Sequence, residues 1–189
     1  MTSLELLDTA HRQFATVLDG VGPGDWDKPT PCENWSVARL VAHLIGGEQM
    51  AAGLLSGCSR DDAMAMISAG VPEGDLVDGF ARAAAASRAA FDAPGAMEMV
   101  VHHPIGDVAG SQLLDFRVGD LSLHSWDLAR AIGADEALDP TLVSAAWDSL
   151  SPLSEVISSI GIFGEGPSGA VAEDAELQLR LLDLTGRRP

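Results

Sequence analysis

Apolar residues that recur at spacings of three and four constrain the fold of this chain more than any other feature of its sequence. Segments with this spacing follow one another along the chain, and glycine- and proline-rich stretches separate them. No segment of useful length alternates apolar and polar residues, as a half-buried β-strand would. The spacing therefore predicts an all-α protein, most simply a four-helix bundle with additional C-terminal helices.

Capping residues and helix breakers give the limits of the predicted helices. Thr2 and Glu5 have the spacing of a capping box, and Ser36 is a favourable N-cap. Asp139 and the proline after it suit an N-cap and a first helical residue, and Gly133 suits the end of the longest helix. The predicted helices span residues 2–18, 36–55, 75–92, 111–132, 139–150 and 173–185.

Three stretches lack a clear helical pattern. Residues 59–70 form either a short helix or an ordered loop, and residues 161–176 are predicted to be a glycine-rich loop. Residues 95–110 are predicted to connect two helices, with a short extended piece at 97–101.

The length of the chain suits a single domain. Its bundle core is expected at residues 1–133, and a helical extension at residues 134–189. The sequence leaves both a monomer and a homodimer open.

Two adjacent glycines, Gly46 and Gly47, interrupt the second predicted helix. Each costs a helix roughly 1 kcal/mol relative to alanine. The pair therefore indicates the close approach of another backbone or of a ligand, with a loose helix as the alternative.

The acidic balance of the chain argues against several classes of partner. It has 28 acidic and 11 basic residues and a formal net charge of −17 at pH 7. Such a surface repels phosphate backbones and anionic lipid heads, so we expect neither nucleic acid nor a membrane as a partner. A small anionic substrate would need a local cation to attract it. No apolar run is long enough to span a bilayer, and the N-terminus lacks the unbroken apolar segment of a signal peptide. Cys32 and Cys58 do not make a disulfide framework, which favours a cytoplasmic protein.

The segment DLSLHSWDLARAIG, residues 120–133, carries polar groups on an otherwise apolar helix. Asp120, His124 and Asp127 recur at spacings of four and three, so they project from one face of the helix. Leucines and alanines lie on or beside that face, which predicts that it points into the bundle core. A buried carboxylate without a partner is very costly. A divalent metal, an arginine or solvent exposure of this face would each remove that cost.

A carboxylate and an imidazole four residues apart can bind one ion together. A third ligand has to come from a facing helix, and His43 is the best placed of the remaining histidines because it flanks the apolar face of the second helix. A core histidine tied to a carboxylate is the alternative interpretation. His11 is expected in the core or at its boundary, and His102 and His103 are expected on a surface loop.

Three motifs of this chain together resemble a known family. They are TPCENWSVARLVAHLIGGE at residues 30–48, DLSLHSWDLARAIG at 120–133 and the closing LQLRLLDLTGRRP. They are similar to motifs of the DinB-like metal-binding proteins, and within these to the group related to mycothiol-dependent maleylpyruvate isomerase. The likeness runs from the first helix to the C-terminal GRRP, and it specifies a fold and a metal pocket far better than a reaction.

The resemblance implies a four-helix bundle that holds one divalent ion. Its ligands in the family are a histidine of the second helix and an acid-x-x-x-His pair of a later helix, which by position are His43, Asp120 and His124. Two imidazoles and one carboxylate suit zinc first, with nickel and iron as alternatives. The resemblance also implies mycothiol as a thiol cofactor.

Two departures from the family pattern bear on the reaction. The isomerase has glutamate where this chain has the shorter Asp120, and it has a longer C-terminal domain that helps to bind its thiol cofactor. The isomerase activity itself is therefore not assigned to this chain. The resemblance implies metal- and thiol-dependent transfer or isomerisation on a small electrophilic substrate. A metal-dependent hydrolase and a non-catalytic small-molecule-binding or interaction protein are the alternatives.

Two acidic residues near the predicted ligands are candidate catalytic residues. Glu48 falls near the apolar side of the second helix, and it is a candidate general base or else a solvated boundary residue. Asp127 would orient His124 or a water, or it would pair with an arginine such as Arg130 or Arg117.

Three other side chains near these motifs are expected to have structural roles. Cys32 is predicted to act as a small buried apolar side chain, with a nucleophile or a fourth metal ligand as the alternative. Trp35 and Trp126 are predicted to pack in the core, and Trp35 is placed to form a hydrophobic staple with Leu40.

Overall fold

The computed structural model describes residues 1–153 and 166–189 of the chain. Within these ranges the protein is mostly helical, and a short 3₁₀ turn, Ser151–Leu153, follows the sixth helix. Its elements are α1 (Ser3–Leu18), α2 (Val37–Leu55), α3 (Arg60–Ser68), α4 (Leu76–Phe91), β1 (Val100–His103), β2 (Gly106–Ala109), α5 (Gly110–Ile132), α6 (Pro140–Leu150) and α7 (Leu177–Leu184). No helix in the two described ranges is long and apolar enough to cross a membrane.

Helices α1, α2, α4 and α5 form the predicted four-helix bundle. Both α1 and α2 pack against α4 and α5, so each helix has two neighbours. Their apolar faces enclose one core, in which Phe14, Leu44, Phe80 and Leu121 are fully buried. The apolar face of an amphipathic helix is stabilised mainly by this burial, at about 25 cal/mol per Å² of apolar surface. The all-α prediction is confirmed.

The predicted helix caps are also confirmed. Thr2 Oγ1 accepts a hydrogen bond from the Glu5 N–H at 3.2 Å, and the Thr2 N–H donates to Glu5 Oε2 at 2.7 Å. Ser36 Oγ accepts from the Arg39 N–H at 3.3 Å at the start of α2. Gly133 ends α5 with a φ of 73°, a left-handed conformation that glycine adopts without strain. The caps at Ser36 and Gly133 set the start of α2 and the end of α5, the two helices that carry the candidate ligands.

Residues 95–110 differ from the expected loop because they contain a β-hairpin. Strands β1 and β2 pair antiparallel, with Val101 opposite Val108. Both valines are buried against the bundle. Each strand has only four residues, too few to give a recognisable alternation in the sequence. Of the two alternatives for residues 59–70, the structure shows the helix, α3.

The C-terminal helix α7 begins at Leu177, later than the predicted residue 173. Of the glycine-rich loop predicted at 161–176, residues 161–165 lie outside the described ranges, and residues 166–176 contain no helix. Leu181 and Leu182 of α7 share a second apolar cluster with Leu123 and Trp126 of α5. The predicted core position of Trp126 is thereby confirmed, and the end of the chain is placed beside the ligand-bearing helix.

The two adjacent glycines of α2 allow two different close approaches. A Cβ atom on Gly46 would lie 2.5 Å from the carbonyl oxygen of Met66 in α3, and one on Gly47 would lie 2.5 Å from Nη1 of Arg117 in α5. Both distances are shorter than any real contact of a Cβ atom. The glycines therefore mark close packing by a backbone and by a side chain, and α2 continues through them as a regular helix.

Candidate metal centre

The three predicted ligands meet between α2 and α5. His43 lies on α2, and Asp120 and His124 lie one turn apart on α5, which packs against it. Nε2 of His43 is 3.3 Å from Asp120 Oδ2, and Nε2 of His124 is 3.3 Å from Asp120 Oδ1. One donor atom of each residue lies within 4.8 Å of the other two. The structure thus brings together the residues that the sequence predicts as a ligand set.

The distances in this set fit a divalent ion. Zinc bonds to imidazole nitrogen and carboxylate oxygen are about 2.0–2.2 Å long, so two ligands of a tetrahedral ion stand about 3.3–3.6 Å apart. Both histidine–carboxylate distances, 3.3 Å, fall within that interval, and they reach the two different oxygens of Asp120. The same three side chains can also form charge pairs among themselves. The geometry therefore accommodates an ion without requiring one.

The charges around Asp120 keep it in the form that binds cations. Burial alone would raise the pKa of Asp120, but His43, His124 and Arg117 outweigh burial and hold that pKa well below its usual value. For His124, burial lowers the pKa, whereas Asp120 and two further hydrogen-bond partners raise it well above its usual value. A cation bound here would replace the proton on His124, because imidazole binds metals in its neutral form.

A second carboxylate sets the orientation of His124. Its Nδ1 lies 2.8 Å from Oδ2 of Asp127, which is fully buried. Burial would raise the pKa of Asp127, but the charge of Arg187 and the bond from His124 lower it to about 2. The ionised carboxylate can only accept, so Nδ1 of His124 carries a hydrogen and Nε2 faces Asp120. Metal-binding histidines usually donate their other ring N–H to a carboxylate, a backbone carbonyl or a water, and Asp127 is such a partner.

Asp127 pairs with Arg187, which no spacing in the sequence connects to it. Arg187 Nε donates to Asp127 Oδ1 at 2.9 Å, and Arg187 Nη2 donates to Oδ2 at 2.6 Å. The expected partners were wrong: Arg130 pairs with Glu136 instead, and Arg117 lies almost three helical turns away along α5. A buried carboxylate needs a cation, and the closing GRRP offers two arginines. A carboxylate predicted to be buried and two arginines without an assigned partner could therefore have pointed to Arg187 from the sequence.

Glu48 lies behind the ligand set, on the far side of Arg117. It is fully buried, so it is not a solvated boundary residue. Glu48 Oε1 accepts from Arg117 Nε at 3.0 Å, Arg117 Nη1 donates to Asp120 Oδ2 at 2.8 Å, and His11 Nε2 lies 3.1 Å from Glu48 Oε2. Burial would raise the pKa of Glu48, but Arg117 and His11 outweigh it and lower that pKa. Glu48 thus anchors Arg117, and its role as a general base stays a prediction.

Two side chains from the loop before α2 line the ligand set. The ring centroid of Trp35 lies 4.7 Å from that of His43 and 5.8 Å from that of His124. Sγ of Cys32 lies 3.3 Å from Asp127 Oδ2 and 3.7 Å from His124 Nδ1. Both side chains pack against the core as expected, but they are only partly buried and also contact the site.

A second group of donor atoms overlaps the first. Cys32, His124 and Asp127 also place donor atoms within 4.8 Å of one another. Both oxygens of Asp127 already accept hydrogen bonds from Arg187, and Nδ1 of His124 carries a hydrogen. The first group is therefore the better candidate for a metal ion.

The other histidines have partners of their own. His11 is partly buried at the bundle boundary, with its ring edge-on to Phe80, as the sequence predicts. His102 on the hairpin is exposed and lies 2.9 Å from a carboxylate oxygen of Asp107. His103 packs its ring 5.5 Å from that of Phe116.

Comparisons with known proteins identify a family that covers most of the bundle. The family model described as the mycothiol maleylpyruvate isomerase N-terminal domain matches residues 7–129. Uncharacterised proteins from two strains of Mycobacterium tuberculosis are each 34% identical over 133 residues, which cover 70% of this chain and 69% of the relative.

Two solved structures resemble the fold. A crystal structure of the mycothiol-dependent maleylpyruvate isomerase aligns with a TM-score of 0.65 and 18% identity. A histidine-to-alanine variant of that enzyme aligns with a TM-score of 0.68 and 17% identity. Each alignment covers 84% of this chain and 71% of the other. At such low identity the likeness shows the helical fold alone.

Proposed function

Because the chain belongs to the mycothiol maleylpyruvate isomerase N-terminal domain family, we propose that it is a divalent-metal protein using a mycothiol-type thiol on a small electrophilic substrate. The reaction is a transfer or an isomerisation, and zinc is the first candidate ion, before nickel and iron. The observation that carries the proposal is the convergence of His43, Asp120 and His124 from two packed helices. Two free cysteines favour a reducing compartment such as the cytoplasm.

Different residues would bind the ion and orient its ligands. Nε2 of His43, Nε2 of His124 and a carboxylate oxygen of Asp120 would hold the ion. A divalent cation bound there lowers the pKa of a coordinated thiol, which makes the nucleophilic thiolate available at neutral pH. Asp127 orients the ring of His124 through Nδ1. The ring of Trp35 packs beside both imidazoles.

Replacing His124 with alanine is expected to remove the bound metal. Protein purified without chelator should contain about one divalent ion per chain, and the His124→Ala variant should contain almost none, because two remaining ligands do not make a stable site. Elemental mass spectrometry of the purified proteins measures both values. His102→Ala, which removes an exposed histidine from the hairpin, is the control and should keep the ion. Substoichiometric metal in wild type and His124→Ala alike would remove the proposal.

The thiol chemistry has its own test. Metal-loaded protein incubated with mycothiol and a panel of electrophiles is expected to form a thioether product, or an isomer of the electrophile, at a rate that saturates with substrate. The product should be absent after metal removal and in His124→Ala. Mass spectrometry of the small molecules identifies it. Hydrolysis of a substrate without thiol would instead indicate a metal-dependent hydrolase.

A non-catalytic binding protein is the second candidate, and one contact favours it. Arg117 Nη1 donates to Asp120 Oδ2 at 2.8 Å, so the carboxylate that would bind the ion already shares its charge with a guanidinium. A weakened ligand holds an ion less firmly and activates a thiol less. This candidate predicts that small molecules raise the thermal midpoint of the metal-loaded protein while no thiol product forms with any electrophile.

A further inference from the structure

We propose that Arg187, in the C-terminal segment formed by residues 177–189, is a positioning residue that sets the orientation of His124 through Asp127. The inference rests on the proposed function, because it takes His124 as a metal ligand. The other residues of the site lie within residues 7–129, which the family model matches. The inference adds a residue of the C-terminal segment to them.

The contact between Arg187 and Asp127 is buried and has two parallel hydrogen bonds. Nε donates to Oδ1 at 2.9 Å and Nη2 donates to Oδ2 at 2.6 Å. The side chain of Asp127 is fully buried, and that of Arg187 is 9% exposed. A bidentate pair of this kind fixes the plane of the carboxylate as well as its place. Because Oδ2 also accepts from His124 Nδ1 at 2.8 Å, the guanidinium determines how that ring is held.

The backbone brings Arg187 to this place by reversing direction after α7. Gly186 has a φ of 74°, the left-handed conformation that ends a helix, and the Arg187 N–H donates to the carbonyl oxygen of Leu182 at 2.9 Å. Nη1 of Arg187 donates to the carbonyl oxygen of Thr185 at 3.2 Å. Leu181 is fully buried in the apolar cluster that joins α7 to α5. The guanidinium is therefore held by the turn and by the packing of α7, as well as by Asp127.

The next residue supplies a matched control. The side chain of Arg188 is 47% exposed and lies 3.3 Å from a carboxylate oxygen of Asp183. Its other side-chain hydrogen bonds in the described part of the chain go to carbonyl oxygens of Gly166 and Arg187. Arg188 thus has the same charge and almost the same place in the chain as Arg187, but its partners are not in the ligand set.

The test loads the full chain with Co(II), whose visible absorption depends on the ligand geometry around the ion. Arg187→Ala frees Asp127 to rotate, so we expect the Co(II) affinity to fall about 10-fold or more and the absorption bands to shift. Arg187→Lys keeps the positive charge but cannot form the two parallel bonds, so it should show the same spectral change with a smaller loss of affinity. Arg188→Ala should match the wild type in both measurements.

Three results would count against the inference. A wild-type affinity and spectrum in both Arg187 variants would overturn it and leave the proposed function intact. A lower thermal midpoint with an unchanged spectrum in both variants would also overturn it, because Arg187 would then act on stability alone. If Arg187→Ala does not fold, the spectrum of Arg187→Lys alone shows whether Arg187 orients His124. A wild-type chain that gives no spectrum of bound Co(II) would overturn the proposed function, and this inference with it.

Discussion

Arg117→Met is expected to lower the free energy of unfolding by roughly 3–5 kcal/mol, because it leaves the buried carboxylate of Glu48 and the partly buried one of Asp120 without their guanidinium. The side chain of Arg117 is 4% exposed and lies between Glu48, which is 0% exposed, and Asp120. Methionine has a similar length and fills most of the space. The loss therefore comes from the uncompensated charges and not from a cavity.

Equilibrium urea unfolding at pH 7 measures this loss. The double variant Glu48→Gln/Arg117→Met removes both charges of the inner pair, so it should recover a large part of the stability that Arg117→Met loses. Arg88→Met is the control, because Arg88 forms a partly exposed pair with Asp8 and should contribute only about 0–1 kcal/mol. A cost of less than about 1 kcal/mol in Arg117→Met would contradict the buried network.

The helices of this protein can be predicted from sequence because their determinants are local. The caps at Thr2, Ser36 and Gly133 depend on backbone groups within one turn of each residue. The hairpin of residues 100–109 could not be predicted in this way. Its two short strands are stabilised by the packing of Val101 and Val108 against helices that are distant in sequence.

The candidate site also combines residues that are placed by local sequence spacing with residues that are distant in sequence. Asp120 and His124 share one helix face, so their spacing alone places them together. His43 lies on another helix, and it was identified from its position beside an apolar face and from the family resemblance. The bond between Arg187 and Asp127 joins residues 60 apart, and no periodicity connects them. Only the requirement that a buried carboxylate has a cation points to such a partner.

The two aspartates of α5 at the candidate site, Asp120 and Asp127, are each held by an arginine. Arg117 holds Asp120 and is itself anchored by Glu48 of α2. Arg187 holds His124 indirectly and is anchored by the turn after α7. In a chain with a net charge of −17, these buried cations balance the carboxylates that a metal site and its supports require. Disturbing either arginine should therefore affect the site as well as the stability of the fold.

Gly47→Ala is expected to lower the free energy of unfolding by roughly 1–3 kcal/mol, although alanine is the better helix former. The added Cβ would lie 2.5 Å from Nη1 and 2.7 Å from Cζ of Arg117. A guanidinium at the end of a free side chain would move aside at little cost. This one donates to Glu48, which is buried, and to Asp120, which is partly buried, so moving it breaks bonds to both carboxylates.

Gly119→Ala on α5 is the matched control for this substitution. Nothing lies within 4 Å of the Cβ position at Gly119, so alanine there should stabilise the protein by up to about 1 kcal/mol through helix propensity. In an Arg117→Ala background the obstruction is gone, and Gly47→Ala should become neutral or stabilising. Urea unfolding of the wild type, Gly47→Ala, Arg117→Ala and the double variant measures the coupling between positions 47 and 117. If Gly47→Ala stabilised the otherwise unchanged chain as much as Gly119→Ala does, Arg117 would not be held against α2, and the support assigned to Asp120 would be wrong.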